Sequence, residues 1–145
     1  MIGARFRVRM ADWARDDEAL RLIRFAVFVV EQQVPESLEW DGIDADCEHA
    51  IAEDRGGAPV GCGRLLPDGH IGRMAVLREW RGSGVGGAIL DRLVARARER
   101  GFAKAMLNAQ THAIPFYERH GFRVVGEPFD EAGIPHRAME RALRG

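Results

Sequence analysis

At 145 residues the chain has the length of one ordinary domain, and folding can bury about two thirds of the surface its unfolded form exposes, so a core needs neither disulfides nor metal. Its 46% hydrophobic and 30% charged residues are the balance of a soluble globular protein and argue against general disorder. Twenty-one basic against 22 acidic residues leave a net charge of -1, without the basic excess that points to nucleic acid.

Residues 1–145 are therefore expected to form one domain. Lys104 is the only lysine, an arginine bias that fits genomic base composition as well as recognition of anions. Cys47 and Cys62 stand in a chain that opens, from Met1 to Arg5, without a charged and then apolar leader, so reduced thiols and a cytoplasmic location are expected. The longest apolar run, Phe25 to Val30, is far short of the ~20 residues of a membrane helix.

Phe6, Val8 and Met10 alternate with Arg5, Arg7 and Arg9, the period of a half-buried first strand. Behind Asp12, Asp16 and Asp17, which can cap a helix start, Leu22, Ile23, Ala26, Val27 and Val30 recur at helical spacing. From Glu31 to Glu48 come Pro35, Gly42 and seven carboxylates without one basic residue, read as a loop with one short helix. Its charge suits either attraction of a cationic amine or a plain solvated surface.

Strand-like runs at 47–53 and 59–66 flank Arg55-Gly56-Gly57 and predict a hairpin. A turn at Pro67-Asp68-Gly69 leads to a third strand, His70 to Leu77. After the linker Arg78 to Arg81 and a glycine cluster, Ile89, Leu90, Leu93, Val94 and Ala97 mark a helix that Gly101 closes. A buried strand follows from Phe102 to Ala109, then a short helix from Ala113 to His120 with Pro115 in its first turn. Phe122 to Val125 and His136 to Leu143 close the chain as strands around a loop from Pro128 to Pro135. The strand-helix-strand unit from His70 to Ala109 calls for one parallel pair in an otherwise antiparallel sheet.

A strand running into Arg81-Gly82-Ser83-Gly84-Val85-Gly86-Gly87 and then a helix offers free backbone N–H groups to an anion such as a pyrophosphate. A purely structural turn is the plainer alternative. Gly82, Gly84 and Gly87 also satisfy the spacing of a dinucleotide fingerprint, but they follow antiparallel strands, and Gly101 to Phe116 lacks the ribose-binding acid. No Gly-Lys-Ser or Gly-Lys-Thr follows the glycines, so the P-loop alternative fails as well.

Arg81-x-x-Gly84-x-Gly86 resembles the acetyl-CoA signature of the GCN5-related N-acetyltransferases (GNAT), and Pro115-Phe116-Tyr117-Glu118-Arg119-His120-Gly121-Phe122 resembles their second signature, a helix carrying a general-acid tyrosine. Phe28 to Pro35, Asp41-Gly42-Ile43-Asp44, His49 and Gly133-Ile134-Pro135-His136 are similar to the ElaA/YjcF branch. One departure from it is Ser37-Leu38-Glu39-Trp40.

The resemblance implies an α/β fold with a mostly antiparallel sheet, one splayed parallel strand pair and helices on both faces. It implies an enzyme that moves acetyl from acetyl-CoA to a small-molecule or peptide amine, with no nucleic acid or membrane partner and with a homodimer as one expectation. The backbone of Met74, Ala75 and Val76 would pair with the pantetheine arm. Arg81, Gly82, Ser83, Gly84, Val85, Gly86 and Gly87 would hold the pyrophosphate, and Asn108 would bond the cofactor or simply cap its strand. Tyr117 would protonate the leaving thiolate, a packed core aromatic being the alternative.

Glu31, Asp41, His49 and His112 would face the acceptor. Glu31 is slightly favoured as base, against a capping role for His112 and a buried strand role for His49. Cys47-x-His49 is too little for zinc, so no metal is expected. A non-catalytic acyl-CoA binder on the same fold is the competing reading, and a nicotinamide enzyme a distant third.

Overall fold

Asp12 accepts from the Ala14 amide and starts helix α1 (Trp13–Arg24) directly behind strand β1 (Phe6–Ala11). The computed structural model describes residues 5–143; Met1 to Ala4 and the last two residues, with the expectation of a leaderless start, lie outside the described part. Helix α1 does not simply continue through the apolar run. It widens into a π-helical segment at Phe25–Glu31, and the changed winding moves the buried face. Leu20, Ile23, Val27 and Phe28 are buried, while Leu22 and Val30 of the expected stripe are exposed.

The acidic stretch holds a short helix α2 (Glu36–Glu39) and a single 3-10 turn. Strands β2 (Glu48–Asp54) and β3 (Pro59–Leu65) form the expected hairpin, whose turn is closed by the Asp54 carboxylate accepting from the Gly56 and Ala58 amides. Strand β4 (His70–Val76), helix α3 (Val85–Glu99) and strand β5 (Lys104–Gln110) make the crossover unit. Helix α4 (Ile114–Arg119) and strand β6 (Arg123–Val124) follow. The expected 128–135 loop instead contains strand β7 (Phe129–Glu131), joined to β8 (Ile134–Ala142) by a two-residue turn. Ala132 and Gly133 both have positive φ there, which matches the twist of the paired strands.

The sheet runs β1-β2-β3-β4-β5-β8-β6, with β7 also on β8, and only β4 and β5 are parallel. The α1 side packs Leu20, Ile23, Val27 and Phe28 on Ile51, Cys62 and Ala75. On the opposite face Ile89, Leu90, Leu93 and Val94 of α3 cover Ala50, Leu65, Ile71, Leu107 and Met139. Gly61 lets α3 lie that close, since a Cβ there would come within 2.9 Å of Ile89. The mixed sheet, splayed pair and two helical faces are thus as the sequence implied.

Candidate functional site

The parallel pair is short. It holds only at His70 with Met106 and Ile71 with Leu107. Beyond that point two residues of β4, Arg73 and Met74, oppose the single Gly63 of β3, and Arg73 takes φ +49° in the bulge. The strands separate, leaving a cleft of about 1350 Å³. That is larger than the 300–1,000 Å³ of an ordinary ligand pocket, so it has room for an elongated ligand and a second reactant.

Backbone lines one wall. Leu77 donates to the Val60 carbonyl on β3, so by strand alternation the Val76 amide and carbonyl point the other way, toward the cleft. The Val76 carbonyl does accept there from Arg81 Nε at 3.0 Å. At the end of this wall Gly84 takes φ +90° and starts α3 with no side-chain cap, leaving its first amides free for an anion. Ser83 turns away, its hydroxyl donating to the Trp80 carbonyl at 2.5 Å.

Tyr117 faces the same space from α4, its ring edge-on to Phe116 at 5.0 Å and to Phe122 at 6.1 Å. Burial pushes its phenol up to about 12.

Charge gathers at the other wall. Arg24, 1% exposed, donates to Glu39 at 2.7 Å and to Asp44 at 2.6 Å. Arg64 donates to Asp44 at 2.8 Å and to Asp41 at 2.5 Å, and Arg73 reaches Asp41 at 3.3 Å. Burial raises Glu39; at Asp41 burial is again the largest single influence, but Arg64, the Ile43 amide and Arg73 together outweigh it and hold the carboxyl at about 2. Glu48 is paired with Arg96 and Arg100.

These pairs correct the picture of the acidic stretch as either an amine-attracting field or a solvated loop. Five of its seven carboxylates, Glu31, Glu39, Asp41, Asp44 and Glu48, are neutralised by arginines from other segments.

Glu31 spans the cleft mouth to Arg81, accepting at 2.5 and 2.7 Å. The Arg81 hydrogen bonds lower the Glu31 carboxyl, which weakens it as a proton acceptor, and they occupy the guanidinium expected at the pyrophosphate. Glu31 is therefore the partner of Arg81 in this structure rather than a poised base. His49 is walled off: it is 2% exposed, donates from Nε2 to the Asp44 carbonyl at 2.9 Å and stacks on Trp13. Asp41 sits behind Arg64 and Arg73.

His112, Asn108, Met74, Ala75, Val76, Arg81 and the glycines other than Gly101 and Gly121 that flank α3, namely Gly82, Gly84, Gly86 and Gly87, all line the cleft together with Val85. Sequence reasoning assigned no role to Gln32, Gln110, Glu131 or His136, which line it as well. Gln110 donates to Gln32 at 3.0 Å across the cleft, and Asn108 donates to Glu131 at 3.4 Å. Only the Gly133-Ile134-Pro135-His136 motif marked that region in the sequence, without saying what it does.

A parallel pair splayed over a glycine-rich helix start is the architecture of acyl-CoA N-acyltransferases. The acetyltransferase (GNAT) domain profile matches residues 13–143, and the chain belongs to this family of acyl-CoA-dependent N-acetyltransferases. It is 43% identical over 133 residues to the N-acetyltransferase YjcF of Bacillus subtilis, covering 87% of this chain and 94% of that one. It is 33% identical to the ElaA protein of Escherichia coli, with 86% of both chains covered. An acyl-CoA N-acyltransferase structure from Pseudomonas aeruginosa superposes with a TM-score of 0.81 at 34% identity, over 94% of this chain and 99% of that chain. The ElaA crystal structure gives 0.79 at 29% identity with the same coverage.

No helix among the described residues is long and apolar enough to cross a membrane. Among the same residues no group of three or more histidines, cysteines, aspartates or glutamates is placed to hold a metal ion.

Proposed function

We propose that this protein transfers the acetyl group of acetyl-CoA to a primary amine by direct attack, with Tyr117 protonating the departing thiolate. The observation that carries the reading is one continuous cleft that joins β4 where it parts from β5, the free start of α3 and Tyr117. The Met74 to Val76 backbone would pair with the pantetheine arm, and the Val76 N–H would polarise the thioester carbonyl, a contact of the kind worth about 3 kcal/mol in acyl transfer. The amides from Gly82 to Gly87 would take the pyrophosphate. A helix terminus supplies about 0.3–1 kcal/mol at an exposed site and ~2 when partly buried, so several amides must act together.

With its phenol at about 12, Tyr117 keeps its proton at neutral pH and has one to give when the C–S bond breaks. An acceptor amine near pKa ~10 arrives as an ammonium and must first lose a proton.

Thermal unfolding with acetyl-CoA, CoA and NAD in parallel tests the cofactor. At ~100 times its dissociation constant a ligand stabilises by about 2.7 kcal/mol, a shift of several degrees at this size. A shift with both CoA species and not with NAD is expected; none with CoA overturns the reading. Tyr117→Phe should then lower kcat on an active amine by about 100-fold or more while CoA affinity stays within about threefold. Full CoA affinity without turnover on any amine would favour the non-catalytic binder.

A further inference from the structure

We propose that His136 and Glu131 form the amine-receiving end of the cleft, with His136 Nε2 as general base and the Glu131 carboxylate as the site for the ammonium charge. The inference rests on the acetyl-transfer reading above and names the acceptor class, a cationic primary amine.

His136 is 5% exposed yet lines the cleft. Its Nδ1 lies 2.6 Å from the Ile134 carbonyl oxygen. A carbonyl can only accept, so Nδ1 carries the hydrogen and the neutral ring keeps its lone pair on Nε2. Nε2 stands 3.7 Å from Glu131 Oε2, too far for a hydrogen bond between them. Two acceptors thus converge on one small volume, an arrangement that suits a donor with several N–H groups. An ammonium has three.

The hairpin builds this pairing. The tight turn at Ala132-Gly133 sets Glu131 opposite Ile134, which returns the carboxylate beside the imidazole two residues further on. Phe129 stacks on the ring at 5.9 Å, and Asn108 donates to the other Glu131 oxygen at 3.4 Å. Of the other candidates, Glu31 is bound to Arg81 and His49 is enclosed behind Trp13, while His112 lines the cleft on the 3-10 turn before α4.

In the step itself His136 Nε2 takes one ammonium proton, and Glu131 stabilises the imidazolium that results. The freed amine attacks the thioester carbon, forming the C–N bond. The C–S bond then breaks with its electron pair on sulfur, which Tyr117 protonates; the tyrosinate recovers a proton from the amide nitrogen, and His136 releases its own to solvent.

His136→Asn keeps a donor for the Ile134 carbonyl and removes the base, while Glu131→Gln keeps the shape and removes the charge. With the full-length protein, calorimetric CoA affinity and the unfolding midpoint should match wild type in both variants. On an amine that wild type acetylates, kcat/KM should fall at least about 100-fold for His136→Asn, with partial rescue by added imidazole. For Glu131→Gln the amine KM should rise about tenfold with a smaller change in kcat. A His136→Asn enzyme with kcat/KM within threefold of wild type would overturn the proposal and leave the acetyl-transfer reading standing. A wild-type protein that binds no CoA overturns both.

Discussion

At the glycine-rich end of the cleft the wall is backbone: Gly82, Gly84 and the uncapped amides of α3, held open by positive φ angles. Across from it the wall is side chain, with Arg24, Arg64 and Arg73 interlocked with Glu39, Asp41 and Asp44 from a segment that has no basic residue of its own. The first is one contiguous stretch of chain and accepts any ligand with the right charge and curvature. The second is assembled from β3, β4, α1 and the acidic loop, and its charges are already satisfied. Backbone geometry thus shapes one end of the cleft, while an ion network of three arginines and three carboxylates shapes the wall across from it.

The largest way to break this contrast is to remove the central cation of the network. Arg24→Ala leaves Glu39 and Asp44 buried with fewer partners, and truncating one side of a buried pair costs about 3–5 kcal/mol. Urea unfolding should show that loss, and thermal unfolding a midpoint lower by roughly 10 °C; a loss under 1 kcal/mol would mean the network is not the wall described. Gly84→Val attacks the other end. A β-branched residue at φ +90° is strained by about 1–3 kcal/mol, and CoA affinity should drop at least tenfold by calorimetry.

Acid separates the ends further. Asp16, lowered to about 2 mainly by the Arg9 hydrogen bond, and Asp41, at about 2 because Arg64, the Ile43 amide and Arg73 together outweigh burial, both have folded values below the ordinary 3.8. Their stabilisation is therefore complete above the unfolded value and is lost as pH falls from about 4 to about 2, by roughly 2 kcal/mol each. Denaturant titrations across that range should show the slope, and Asp41→Asn should flatten it; an unchanged slope would detach Asp41 from the network. The smallest effect belongs to Glu31→Gln. The Glu31–Arg81 pair is partly exposed and worth under 1 kcal/mol to folding, but releasing Arg81 should raise CoA affinity a few-fold, and unchanged affinity would show that Arg81 does not reach the phosphates.

The same contrast explains what could be read in advance. Alternation at Phe6 to Met10, the hairpin around Gly56-Gly57 and the helical stripe of α3 are local patterns, and each element is where its pattern falls. The apolar stripe of α1 misled because Leu22 sits off the buried face that Leu20 and Ile23 form, and because the π-helical winding at Phe25–Glu31 puts Phe28 inside and leaves Val30 exposed. The 128–135 segment read as a loop because Ala132-Gly133 is a weak turn signal, although its positive φ angles make the hairpin that carries Glu131.

What the sequence determined by itself was a set of features whose physical cause lies within a few residues: strand and helix periods, the glycine turn before α3, the tyrosine helix, and through those ordered motifs the family. Tertiary structure alone decided which charges meet. Arg24 and Glu39 are 15 residues apart, Arg81 and Glu31 are 50 apart, and Asn108 and Glu131 are 23 apart. Electrostatic and hydrogen-bond energies depend on distance in space, and only the closed sheet brings those side chains within range.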